Sequence, residues 1–184
     1  MKALLHSPWL KFGVIVLVAL LSISILFPIR VTPASAPPDR FSVERAMNHL
    51  IVIAAEPHPS GSPAQAQVRD YLVQQLTAWG LEVEVQQTGA VENVLARLHG
   101  TGFGQAILLQ AHYDSYRGPG AADNGSGTAA LLEIMRALSK GPALRNDVIA
   151  LFDDSEEKPV PFRGTKAFIR EHPDEAVAVA VKYT

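Results

Sequence analysis

The sequence predicts an α/β fold in which a mixed, largely buried β-sheet is flanked by helices. Segments with helical periodicity alternate along the chain with segments of strand periodicity, as expected when helices cover the faces of a sheet. Residues 106–110 and 148–152 are short, continuous apolar runs, which are typical of strands buried on both faces. Acidic and histidine-containing strings follow directly after these two runs. The element order therefore favours an open α/β sheet with polar residues at its strand ends.

The amino-terminal segment is strongly apolar. Residues 12–29 carry no charge; residues 1–11, which contain two Lys residues, precede them and Arg30 follows. This pattern predicts a transmembrane helix or signal anchor of about 20 residues. The alternatives are a cleaved signal peptide, which would make the rest of the chain a secreted protein, and a buried core helix. We expect a single-pass anchor, with residues 1–11 in the cytoplasm and the remainder on the non-cytoplasmic side.

A globular part is expected to follow a short connection. Residues 30–40 are rich in Pro and Ala and are predicted to form an extended linker, so the domain spans residues 41–184. Ser42 is predicted to cap a helix that ends near Pro57. Ser62, with Pro at the first helical position, is predicted to begin a second helix that ends at Gly80.

From residue 81 the periodicity changes from helix to strand. Apolar and polar residues alternate over 81–86, which predicts a half-buried strand. The remaining predicted elements are strands at 93–98, 106–110, 147–152 and 176–181, and helices at 126–139 and 165–171. Ligands of open α/β sheets bind outside the carboxyl ends of the strands, so we expect polar residues at those ends to converge.

The composition excludes several classes of protein. The 184 residues carry a formal net charge of −2 with scattered Lys and Arg, so no nucleic-acid partner is expected. Cysteine is absent, which excludes disulfides, thiolate nucleophiles and cysteine-based zinc fingers. A metal could therefore be held only by His and carboxylate side chains. No pattern in the sequence indicates an oligomeric state.

Three strings at the predicted strand ends have the chemistry of a zinc site. They are His112-Tyr113-Asp114, Asp123-Asn124-Gly125-Ser126-Gly127 and Glu156-Glu157. Two zinc ions about 3.5–4 Å apart need a carboxylate that bridges them. His112 and Asp123 are suitable ligands, with Asp123 as the bridge. Asp114 is suited to accept a hydrogen bond from the other ring nitrogen of His112.

Each string also has an ordinary structural interpretation. His112 and Asp114 are compatible with a simple hydrogen bond at a strand end, and residues 123–127 with a turn that begins a helix. An adjacent Glu pair is most often part of a solvated loop. In a zinc site, one of Glu156 and Glu157 would bind the metal and the other would take a proton from the attacking water.

Taken together and in this order, the strings resemble those of the family 28 zinc metallopeptidases of the two-zinc aminopeptidase type, especially membrane-anchored members. The likeness runs over residues 41–171 and includes the strings at 57–62 and 164–168. It implies a zinc aminopeptidase-like sandwich of the phosphorylase/hydrolase type that hydrolyses peptide substrates at a chain terminus. It also implies roles for four residues, with His112, Asp123 and Glu157 as ligands of two Zn²⁺ ions, Asp123 as the bridge, and Glu156 as the general base. From its place beside His112, we predict Asp114 as a second catalytic residue.

The chain departs from the family pattern in two places. The family supplies two further zinc ligands, an acidic residue after the next strand and a later His, and neither is found before Thr184. We therefore expect the amino-terminal part of a peptidase domain, incomplete at its carboxyl end, with weak zinc binding and impaired activity. The alternative is a catalytically inactive, peptidase-like binding module. In addition, residues 158–163 contain two prolines where the family has a shorter, Gly-containing link, which leaves the position of Glu157 open.

Overall fold

The computed structural model describes residues 8–26, 31–102, 104–157, 159–174 and 180–182, without the side chains of 24–26 and 180–182. The chain divides into two compact units, Met1–Val31 and Thr32–Thr184. The first unit contains helix α1, Pro8–Leu26, and residues 27–29 of the predicted span lie outside the described residues. In the described part of the chain, no helix combines the length and the hydropathy needed to cross a bilayer. The predicted transmembrane helix is therefore not shown.

The second unit is a sheet with helices on both faces. Its described strands are β1 Glu82–Thr88, β2 Val91–Leu98, β3 Ile107–His112, β4 Val148–Asp153 and β5 Ala180–Lys182. Its helices are α2 Val43–Ile53, α3 Pro63–Ala78, α4 Ser126–Ser139 and α5 Arg163–Glu171. The strand order is β1-β2-β4-β3-β5. The β1–β2 and β2–β4 pairs are antiparallel, whereas β3 is parallel to β4 and β5. The predicted mixed α/β sheet is confirmed, although residues 176–179 of the last predicted strand lie outside the described residues.

The core lies on both faces of β4, which is buried at every position. Val148, Ala150 and Phe152 pack on one face against α3 and α4. Their partners there include Leu72 of α3 and Leu132 of α4. Ile149 and Leu151 pack on the other face against Phe168 of α5. This two-sided burial explains the continuous apolar sequence of β4, because a strand with one solvated face would alternate.

Both predicted helix starts are present. The hydroxyl of Ser42 accepts a hydrogen bond from the N–H of Arg45 at 3.2 Å, and Ser62 does the same for Gln65 at 3.1 Å. Gly80, with φ of 80°, follows the end of α3 in the left-handed conformation that favours glycine. These elements are specified by local sequence, which is why the sequence predicts them.

The stretch at 32–40, expected to be extended, instead forms turns that are held by two arginines. The guanidinium group of Arg45 donates to the carbonyl oxygen of Ala36 at 3.1 Å, and that of Arg136 donates to Arg40 at 3.0 Å. Both arginines also bind Glu133, which is fully buried. The Pro and Ala composition of residues 30–40 could not indicate these contacts, because Arg136 lies almost 100 residues after this segment in the sequence.

Candidate metal centre

The predicted site residues lie at one edge of the sheet. Because β3 and β4 are parallel neighbours, their carboxyl ends meet there, and His112 pairs in register with Asp153. His112 is the last residue of β3 rather than the first residue beyond it. A turn at Ala121–Gly125, in which Asp123 and Asn124 have non-helical backbone angles, brings Asp123 to the same edge before α4 begins.

The structure brings the three predicted zinc ligands together. His112, Asp123 and Glu157 each offer one ligand atom, and these atoms all lie within 4.8 Å of one another. The Nε2 atom of His112 is 3.2 Å from Oδ1 of Asp123. The three side chains line a cavity of about 390 Å³, and Glu156 and Asp153 also line it. One imidazole nitrogen and two carboxylates form a donor set that suits zinc.

The electrostatics of His112 also suit a cation. Burial alone would lower the pKa of His112, but the carboxylates of Asp114, Asp153 and Asp123 raise it to about 9. The ring therefore lies in a strongly negative field. A cation bound beside it would neutralise that field and take the place of the ring proton, since a metal ligand must be the neutral imidazole.

Asp114 contacts His112 on the side away from Asp123, as predicted, and also has a role that the sequence did not indicate. The Nδ1 atom of His112 lies 3.1 Å from the main-chain oxygen of Asp114 and 3.4 Å from its carboxylate. The same carboxylate, which is buried, accepts the N–H groups of Glu156 at 3.1 Å and Glu157 at 3.2 Å. Asp114 therefore joins the end of β3 to the loop that carries the Glu pair.

Glu156 is a buried side chain whose two oxygens have different surroundings. Its Oε1 atom accepts hydrogen bonds from Thr165, from the N–H at 2.9 Å and from the hydroxyl at 3.0 Å. Its Oε2 atom is buried and has no hydrogen-bond partner in the described part of the chain. This is not the solvated loop that an isolated Glu pair suggests.

Asp153 is a buried carboxylate beside Glu156 that sequence reasoning missed. Its Oδ2 atom accepts hydrogen bonds from Gln110 at 2.6 Å and from the hydroxyl of Thr165 at 2.8 Å. Burial raises the pKa of Asp153 well above its usual range, and the charge of Glu156 raises it further. The acidic residue directly after a fully apolar strand was the signal that could have identified it.

The loop that contains two prolines is closed at its base. The N–H of Arg163 donates to the carbonyl oxygen of Ser155 at 3.1 Å. Ser155 and Phe162 both have left-handed backbone conformations, with φ of 58° and 62°. With these two prolines in the loop, Glu157 lies with His112 and Asp123.

The string at 57–62 contacts the chain next to the site and does not contribute to the ligand cluster of His112, Asp123 and Glu157. The N–H of buried His58 donates to the hydroxyl of Ser115 at 2.8 Å, and the N–H of Ser115 donates back to the carbonyl oxygen of His58. The Nδ1 atom of His58 lies 2.8 Å from the main-chain oxygen of Glu56. These contacts fix the chain just after Asp114.

Comparison with known proteins places the site region in a family. Residues 93–182 match the model of peptidase family M28. The chain is 29% identical over 170 residues to a vacuolar membrane protease of Coprinopsis cinerea, a match that covers 77% of this chain and 16% of that protein. The chain thus spans about a sixth of the length of the curated relatives it matches.

Two solved structures have the same architecture. A protein from Bacteroides vulgatus assigned as a Zn-dependent exopeptidase superimposes with a TM-score of 0.64 at 25% identity, covering 83% of this chain and 60% of that one. Glutaminyl cyclase from Porphyromonas gingivalis superimposes with a TM-score of 0.65 at 26% identity, covering 76% of this chain and 56% of that one.

Proposed function

The chain belongs to peptidase family M28 through residues 93–182, and we propose that it supplies metal ligands and the general base of a zinc-dependent exopeptidase. The observation that carries this proposal is the convergence of His112, Asp123 and Glu157 within 4.8 Å, beside the buried carboxylate of Glu156. The ligand roles are those implied by the sequence resemblance, with Asp123 bridging two zinc ions. The Asp123 side chain is 79% exposed, which leaves it accessible to a second ion.

Zinc bound by these residues supplies Lewis-acid chemistry, polarising a carbonyl group and lowering the pKa of water. In this proposal the Oε2 atom of Glu156 takes a proton from the attacking water as the new C–O bond forms. The same carboxyl group then gives that proton to the leaving amine as the C–N bond breaks. General acid–base catalysis of this kind contributes about 10²–10⁴-fold to the rate.

The proposed cleavage is at the amino terminus, as the sequence resemblance implies. Carboxylates of Asp123, Glu156 and Glu157 line one cavity, and the described residues that line it include no Lys or Arg. Zinc bound among these carboxylates would neutralise much of their charge. The charge of the cavity alone therefore does not choose between the two termini of a peptide, and the comparison of free with blocked peptides makes that choice.

The test is hydrolysis of short peptides by the full chain supplied with zinc, comparing free with acetylated amino termini. We expect release of the first residue from free peptides only, and a loss of at least about 100-fold in kcat for Glu156→Gln with zinc content unchanged. Equal turnover by Glu156→Gln would refute the proposed base. Peptide binding without hydrolysis by the zinc-loaded chain would instead support the non-catalytic binding module.

A second candidate is cyclisation of amino-terminal glutamine, and the likeness to the Porphyromonas gingivalis cyclase favours it. In that reaction the α-amine would attack the side-chain amide carbon and ammonia would leave, with Glu156 again transferring the proton. A peptide that begins with Gln distinguishes the two reactions. Loss of ammonia with the chain length kept indicates cyclisation, whereas loss of the first residue indicates a peptidase.

We further propose that the apolar segment at residues 12–29 associates with a membrane. The name of the Coprinopsis cinerea relative, a vacuolar membrane protease, supports this, as do the exposed apolar side chains of α1. Fractionation tests it, with alkaline carbonate distinguishing integral from peripheral association. Recovery of the full chain in the soluble fraction before any carbonate treatment would contradict the proposal.

A further inference from the structure

We propose that Thr165 is a positioning residue that aims the general base, holding one oxygen of Glu156 so that the other faces the metal cavity. The inference rests on the proposed function, because it assigns a role to a side chain that acts through Glu156. Thr165 lies near the start of α5, at the sheet edge where β3 and β4 end. Thr165 is not among the residues that the sequence predicts for the site.

The two oxygens of Glu156 have different roles in this proposal: Oε1 is held by Thr165, and Oε2 takes the proton. Oε1 accepts two hydrogen bonds from Thr165, one from the backbone and one from the side chain. Both bonds go to the same oxygen, so they fix the position of Oε1. Oε2 is buried without a protein partner in the described residues, and Glu156 lines the cavity that contains His112 and Asp123.

A helix cap alone would not produce this arrangement. A carboxylate that only accepts a first-turn N–H is usually exposed, and water then satisfies its second oxygen. Glu156 is instead 9% exposed, and a buried carboxylate oxygen without a partner costs free energy. Oriented towards the ligand cluster, that oxygen is available to take a proton.

The hydroxyl of Thr165 is itself held by residues from two strands. Gln110 of β3 donates to it at 2.7 Å. Its single proton is shared between the carboxylate of Asp153 of β4, at 2.8 Å, and Oε1 of Glu156, at 3.0 Å. Gln110 also donates to Asp153 at 2.6 Å. The position of the hydroxyl is therefore set by β3 and β4, and Glu156 is positioned relative to the strand that carries His112.

The activity test compares two substitutions of Thr165 in the full chain. Thr165→Val keeps the shape and the backbone N–H but removes the hydroxyl, and we expect kcat to fall about 10- to 100-fold with KM changed less than about twofold. Thr165→Ser restores the hydroxyl and should keep at least about half of the wild-type kcat. Zinc content should be unchanged in both, because the ligands are untouched.

Thr88 provides a matched control. Its hydroxyl also donates to a carboxylate, that of Glu171 at 2.6 Å, but it lies on β1, which is separated from β4 by β2. Thr88→Val should leave kcat unchanged. A fall in kcat equal to that of Thr165→Val would mean that the loss is a general stability effect, and would overturn the positioning role.

A second readout does not depend on turnover. The urea midpoints of wild type, Thr165→Val, Glu156→Ala and the double variant form a double-mutant cycle. We expect Thr165→Val to lower the midpoint more in the wild type than in the Glu156→Ala background, and additive shifts would overturn the proposal. If the zinc-loaded wild type has no activity, the proposed function is refuted, and the positioning role of Thr165 with it. The positioning role alone is refuted if the wild type is active and Thr165→Val has the same kcat. It is also refuted if Thr165→Ser loses as much kcat as Thr165→Val.

Discussion

The carboxylate of Asp114 accepts a hydrogen bond from the backbone N–H of Glu156 at 3.1 Å, which connects two strand ends that are 42 residues apart in sequence. A second bond, from the N–H of Glu157, uses the other oxygen of the same carboxylate. His112 lies 3.4 Å from it on the side of β3. Asp114 therefore fixes a candidate ligand on each side, and the relative position of His112 and Glu157 depends on it.

Replacing Asp114 with Asn is predicted to weaken zinc binding. One acceptor oxygen becomes an NH₂ group, which cannot accept the N–H of Glu156 or Glu157, so the loop with Glu157 loosens. Loss of an outer partner of this kind lowers metal affinity about 10- to 100-fold. Competition with a chelator measures the change. Asp70→Asn, at an exposed position on α3, is the control, and equal affinities for the two variants would contradict the prediction.

Tyr113→Phe is predicted to destabilise the fold by about 1–2 kcal/mol. The buried hydroxyl of Tyr113 donates to the carbonyl oxygen of Glu92 at 2.6 Å and accepts from Gln65 at 2.8 Å. Removing it leaves the buried amide of Gln65 without this acceptor and takes a donor away from the carbonyl oxygen of Glu92. Urea unfolding measures the loss, with Tyr116→Phe as the control because Tyr116 is 41% exposed. No difference between the two variants would show that the buried hydroxyl contributes nothing.

Glu133→Gln is predicted to lower the free energy of unfolding by about 2–3 kcal/mol at neutral pH. The side chain of Glu133 is fully buried and accepts from Arg45 at 3.0 Å, from Arg136 at 2.6 Å and from the N–H of Ser42 at 2.8 Å. The neutral amide leaves two cations without their counter-ion. A variant as stable as wild type would show that the contacts of Arg45 and Arg136 with residues 32–40 do not depend on this charge.

The same glutamate should make stability depend on pH in the acid range. Burial alone would raise the pKa of Glu133, but hydrogen bonds from Arg136, the N–H of Ser42 and Arg45 hold it below its usual range. Because the folded pKa is depressed, the stabilisation is complete above the unfolded value of about 4.3 and is lost as pH falls through the folded pKa. Between neutral pH and about pH 3, wild type should lose more stability than Glu133→Gln. Parallel pH profiles would contradict this.

The sequence predicts those parts of the fold that local chemistry determines. Ser42 and Ser62 cap helices through bonds to residues three positions later, so the pattern is visible in a short window. The continuous apolar run of β4 likewise reports burial on both faces. The turns at 32–40 depend on Glu133 and Arg136, which no local window includes.

The candidate site divides in the same way. His112, Asp123 and Glu157 are conspicuous because of their chemistry and their place after strands, and the structure brings them together. Gln110 and Thr165 have ordinary side chains whose roles depend on contacts more than 50 residues apart. Gly164 shows the same dependence, since a Cβ atom there would meet Oδ1 of Asn93 at 2.6 Å.

The central claim is that His112, Asp123 and Glu157 hold zinc, and its most direct test is equilibrium zinc binding by the full chain over a series of zinc concentrations. The matched variant replaces all three residues by Ala, Asn and Gln respectively, keeping the size of the two acidic side chains. We predict that the wild-type chain binds zinc in this titration and that the triple variant binds none. Equal zinc binding by the two proteins, or none by either, would contradict the account.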